Sequence, residues 1–96
     1  MPAQETKLQA LVAIREDLEL LENTSFVRSL DTDIVSLAIT KTLERLYKYS
    51  HDFDLELGYF IDCLLSALDE VEYASRVAQH YAYALDRFEE DYPELF

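Results

Sequence analysis

From Leu57 to Leu85 the chain places apolar or small residues at an unbroken alternation of four and three positions: Leu57, Ile61, Leu64, Leu68, Val71, Ser75, Ala78, Ala82 and Leu85. Only an α-helix returns side chains to one face at that period, because a strand alternates every two residues. A second column at spacing seven, Phe60, Ala67, Ala74, Tyr81 and Phe88, makes the face three positions wide per heptad. That width suits a helix bundle and exceeds the seam of a two-stranded zipper. Turn chemistry agrees, since the chain holds one Gly and two Pro, and both prolines, Pro2 and Pro93, lie near a terminus. A β-protein needs more turn residues than this. The fold class expected is all-α, as an antiparallel helical bundle.

Three helices are expected, at about 3–22, 32–49 and 54–92, within one domain spanning 1–96. Pro2 suits a first helical turn, and Leu11, Ile14, Leu18 and Leu21 follow it at spacings of four and three. Ala10, Val12, Ala13 and Leu20 widen that face. Asn23-Thr24-Ser25 reads as a stop followed by a new cap, with a short helical turn over 25–30. Asp31 or Thr32 can cap helix two, whose buried face is Val35, Ala38, Ile39, Thr42, Leu43, Leu46 and Tyr49. Lys41, Arg45 and Lys48 form a basic stripe on that helix. Asp52 or Asp54 is the expected N-cap of the third helix, and Pro93 ends it near Tyr92.

Nothing between Ser66 and Ser75 is a helix breaker, so one continuous third helix is expected, about 38 residues and roughly 57 Å long. The first two helices would cover only half of it. The remainder, with Val71, Ser75, Ala78, Ala82 and Leu85 as seam, would then need a second chain, which points to a homodimer. The alternative is a break near Asp69 to Glu72 and a four-helix up-down bundle.

Half of the residues are hydrophobic, enough to fold against a net charge of −12. No run approaches the roughly 18 apolar residues of a membrane span, and the N-terminus lacks a secretory pattern, so a cytoplasmic location is expected. A single cysteine, Cys63, excludes an intrachain disulfide. Residues 1–51 hold 8 acids and 6 bases, whereas residues 52–96 hold 12 acids and 2 bases. The acidic half disfavours direct nucleic-acid binding and favours a protein partner, a basic one above all.

Chemistry-bearing motifs are sparse. Neither His51 nor His80 has a Glu three residues before it, as a di-metal carboxylate bundle requires, and one Gly cannot build a phosphate-cradling loop. No metal, cofactor or catalytic group is expected. The constellation that stands out is Tyr73, Arg76, His80, Tyr83 and Arg87, at spacings of three, four, three and four. Tyr and Arg bury large area at low entropic cost and still form hydrogen bonds, so this stripe is the expected partner surface. Asp86, Glu89, Glu90, Asp91 and Glu94 form an acidic surface beside it.

Ile14-Arg15-Glu16-Asp17-Leu18-Glu19-Leu20-Leu21-Glu22, with Ser25-Phe26 and Asp33-Ile34-Val35, resembles the start of HEPN-type helical toxins. That resemblance implies a dimeric RNase with an Arg, four to six residues, then a His. Here Arg76-Val77-Ala78-Gln79-His80 has three intervening residues in acidic surroundings, and a nuclease must attract phosphate. The leading expectation is therefore a non-enzymatic interaction protein: an adaptor, assembly factor or regulatory subunit. A nucleic-acid-mimicking inhibitor ranks second and a degenerate HEPN-like RNase third.

Overall fold

The computed structural model describes residues 6–24 and 31–96. Among them four helices succeed one another: α1 (Lys7–Thr24), α2 (Thr32–Phe53), α3 (Gly58–Asp69) and α4 (Ala74–Asp91), with a 3-10 turn at Pro93–Leu95. No strand occurs among the described residues. None of their helices is long and apolar enough to cross a membrane. Each helix packs on its neighbours α1–α2, α2–α3, α3–α4 and α4–α1, which puts α2 and α4 at opposite corners of the bundle.

Helix starts obey local chemistry. Thr6 and Gln9 form a reciprocal capping box, the Gln9 amide N–H donating to Thr6 Oγ1 at 3.1 Å and the Thr6 N–H to Gln9 Oε1 at 2.8 Å. This pair marks the start of α1 at Lys7; Pro2, residues 3–5 of the expected helix and the expected turn over 25–30 lie outside the described residues. Asp31 caps α2 as expected, its carboxylate accepting from the Asp33 N–H at 2.8 Å.

The end of α2 differs from expectation. The helix runs through Asp52 to Phe53, and Asp54 takes the left-handed conformation (φ 52°) as its C-cap. Ser50 closes the corner, its carbonyl accepting from the Leu55 N–H at 3.2 Å while its hydroxyl donates to the Leu55 carbonyl at 2.9 Å. Neither Asp52 nor Asp54 is therefore the N-cap of the next helix. Leu57 occupies that position in α3 without a side-chain cap bond.

The expected single helix over 54–92 is instead two, so the four-helix alternative describes the chain. At the elbow the Glu70 N–H is shared between the carbonyls of Ser66 (3.1 Å) and Ala67 (3.2 Å), and the Tyr73 N–H bonds back to the Glu70 carbonyl at 2.8 Å. No Gly or Pro imposes this. Asp69, Glu70 and Glu72 are closely spaced acids, and a helix continuing through them would carry the like-charge pair Asp69–Glu72 at i,i+3 with nothing apolar to gain. Folding back gains a core: Phe60 packs edge-on against Phe88 with ring centroids 5.5 Å apart, and both are fully buried.

The fold-back also changes which face is inside. In α4 the buried residues are Val77, Tyr81, Ala84 and Phe88. The expected seam lies to one side of them: Val71, Ala78, Ala82 and Leu85 are half-buried and Ser75 is exposed. The spacing-seven column supplies Phe60, Ala67, Tyr81 and Phe88 to the core, while Ala74 at the start of α4 is exposed. Because α4 covers α3 within the chain, the far half of a single long helix no longer requires a second chain. Leu20, expected on the inner face of α1, is 62% exposed.

Phe88 joins the elbow's two arms to the C-terminus, with Tyr92 at 4.9 Å and Phe96 at 6.3 Å between ring centroids. Truncating a buried Phe typically costs about 3–5 kcal/mol. Phe88→Ala should lower unfolding stability in urea by roughly that amount, whereas Phe96→Ala, at a half-exposed ring, should cost far less; equal losses would show that the ring cluster is not centred on Phe88.

Candidate functional site

On α3 and its C-cap the residues Tyr59, Cys63, Ser66 and Glu70 recur at spacings of four, three and four. On α4 the residues Arg76, His80, Tyr83 and Arg87 do the same. The two helices are antiparallel neighbours, so these stripes lie side by side along one face of the hairpin, Tyr59 near Arg87 and Glu70 near Arg76 and His80.

At the elbow end the Glu70 carboxylate receives two partners. Its Oε2 accepts from Arg76 Nη1 at 2.8 Å and its Oε1 lies 2.9 Å from His80 Nε2. The Arg76 guanidinium also stands 5.9 Å from the centroid of the Tyr73 ring. At the opposite end the Arg87 guanidinium sits 5.0 Å over the Tyr59 ring and its Nε pairs with Asp91 Oδ1 at 3.2 Å. In the middle the Gln79 side-chain amide donates to the Tyr83 hydroxyl at 2.7 Å. All five residues singled out from the sequence thus lie along this face, and every one is tied to a neighbour. Glu70 and Tyr59, which hold the two ends, were not among those five; their spacing on α3 was the available signal.

These ties hold the side chains without burying them. Tyr59 is 45% exposed, Tyr73 60% and Tyr83 48%. The acids Asp86, Glu89, Glu90, Asp91 and Glu94 are all exposed, and only Asp91 has an ion-pair partner among the described residues.

Cys63 lies half-buried beneath this face, where burial raises its thiol pKa above the ordinary 9.0. A protonated thiol is a poor nucleophile. Tyr59 is raised in turn, by desolvation first and by the Cys63 thiol second. Tyr81, fully inside the bundle, is pushed up to about 12 by burial. Among the described residues no group of three His, Cys, Asp or Glu could hold a metal ion. Arg76 and His80, the pair that carries the HEPN resemblance, share the Glu70 carboxylate, whose negative charge opposes the approach of a phosphate to them.

A cleft of about 510 Å³ opens beside Arg87, lined by Glu56, Tyr59, Asp91 and Tyr92 among others. Burial, followed by the charges of Asp91, Glu94 and Glu56, raises the Tyr92 hydroxyl. Comparison with protein-family models, curated proteins and solved structures found no match to the chain.

Hydrogen bonds from His80 first and Arg76 second hold the Glu70 carboxyl below its ordinary value of 4.5. A folded-state value below the unfolded one means that ionised Glu70 stabilises the fold above pH 4.5, and that this contribution is lost as pH falls through the lowered value. Glu70→Gln should therefore be less stable than wild type at pH 7, with the gap closing in acid below pH 4.5. Thermal melts from pH 7 to pH 3 measure it, and a gap that stays constant would remove Glu70 as the source.

Proposed function

We propose that this protein is a non-enzymatic interaction module of the cytoplasm whose protein partner docks on the outer face of the α3–α4 hairpin. The observation that supports this best is three half-exposed tyrosines, Tyr59, Tyr73 and Tyr83, on one face with Arg76 and Arg87, each held in place by a neighbour. Interface anchors are most often Tyr, Trp and Arg, and anchors ordered before binding lose less entropy on docking. The acids around them favour a basic rim on the partner.

A photo-crosslinking residue in place of Tyr83, introduced in living cells, should capture a discrete partner that the same residue at Glu16, exposed on α1, does not. Once that partner is in hand, Tyr73→Ala and Tyr83→Ala should each weaken binding about tenfold or more. Identical adducts from positions 83 and 16 would refute the surface.

A nucleic-acid mimic is the second reading, favoured by the exposed carboxylates of Asp86, Glu89, Glu90 and Glu94, which lack ion-pair partners among the described residues. Under it, the protein should release basic proteins from immobilised DNA at low salt, and Asp86→Asn with Glu89→Gln and Glu90→Gln should abolish release. Basic proteins that stay on the DNA at low salt despite the added protein argue for the tyrosine face alone. The RNase reading predicts RNA cleavage that disappears in His80→Ala.

A further inference from the structure

The opposite corner of the bundle carries a surface of different character. Along α2, Ile34, Leu37, Lys41, Arg45 and Lys48 are all exposed at spacings of three, four, four and three. This stripe is apolar at its start and basic further on. It borders a cleft of about 320 Å³ between α1 and α2, floored by Leu21, Ala38 and Thr42 and rimmed by Leu20, Lys41 and Arg45. Leu20 is 62% and Leu37 54% exposed, a large cost in water for two leucines on one corner. Arg45 is held by Asp17, both of whose carboxylate oxygens lie within 3.1 Å of Nη1. Lys41 and Lys48 have no such partner among the described residues. With Glu44 counted beside them, this corner keeps three bases against two acids in a chain of net charge −12.

The complement of this stripe lies in the same sequence. The outermost residues of α4 are Gln79, Tyr83, Asp86 and Glu90, at spacings of four, three and four. They run from aromatic to acidic in the direction in which α2 runs from apolar to basic. With the two helices parallel and Tyr83 level with Leu37, Asp86 comes level with Lys41 and Glu90 with Arg45, each to within about one residue rise of 1.5 Å. Lys48, one turn further on, reaches Glu90 along its four-carbon stem.

We propose that the α1–α2 corner of one molecule docks the outer face of α4 from a second copy of the same chain. The α4 side of this contact shares Tyr83 with the partner surface proposed above, whereas the α2 side is separate from it, so Lys41→Glu with Lys48→Glu removes self-association and leaves the tyrosine face intact, which tells the failure of one reading from the failure of the other. Because α2 and α4 occupy opposite corners, one pair of molecules cannot make the contact twice, and association runs head to tail. The net charge of each copy opposes association at long range, and near 0.15 M salt the Debye length of about 8 Å screens that repulsion while leaving contacts at the interface.

Sedimentation equilibrium of the full chain near 0.15 M salt, over a wide concentration range, tests the proposal. The weight-average mass of wild type should rise with concentration past that of a dimer. Lys41→Glu with Lys48→Glu, and separately Asp86→Lys with Glu90→Lys, should each remain monomeric over that range. An equimolar mixture of the two variants should regain mass, which unfolded chains cannot do, because each variant then meets a surface of opposite charge. A strictly monomeric wild type, a dimer that survives both charge reversals, or a mixture that stays monomeric would each overturn the proposal.

Discussion

The packing of Phe60 on Phe88 is the contact on which the rest of the arrangement depends. It requires α3 and α4 to fold back on one another, and so requires the chain to leave the helix between Glu70 and Tyr73. Ending a helix exposes backbone groups that the next turn would have satisfied. Here the loss is small, because the Glu70 N–H finds two carbonyls and the Tyr73 N–H finds the Glu70 carbonyl. In return, each helix of the pair covers the apolar face of the other, and the core closes within 96 residues.

That elbow also decides what the surface presents. Glu70 leaves α3 close to where Arg76 and His80 stand on α4, so one carboxylate ties two side chains of α4 to the end of α3. The same antiparallel register brings Arg87 over Tyr59 at the other end. Basic groups in the acidic half are thus committed to holding the hairpin together. What remains facing outward is aromatic and acidic, while the spare positive charge, on Lys41 and Lys48, sits across the bundle on α2.

How much of this was legible in the sequence depended on whether the deciding force was local. Helix content followed from period and turn composition, and Asp31 followed from cap chemistry, because both act over a few residues. The elbow is legible only as the alternative, a break near Asp69 to Glu72: Ser66 to Ser75 contains no breaker, and the choice rests on burial of Phe60 against a residue 28 positions away. The inner face of α4 was misplaced for the same reason. A continuous register demands Ala78 and Leu85, whereas a fresh start at Ala74 rotates Val77 and Ala84 inward. The tyrosine and arginine stripe was found because spacing within one helix is local, and Glu70 and Tyr59 were missed because they reach that stripe only across the elbow.

The uneven charge of the chain acquires a spatial meaning once the helices are placed. Twelve acids and two bases in residues 52–96 could have spread around the molecule. Instead α3 and α4 form one side and α1 and α2 the other, so an imbalance along the sequence becomes a polarity across the bundle. A field of that shape orients any charged molecule that approaches, turning basic surfaces toward α4 and acidic ones toward α2. Orientation at a distance adds little affinity, but it selects which face is met first, and on each side the exposed apolar groups, Tyr83 on one and Leu37 on the other, stand beside the charges that would do the steering.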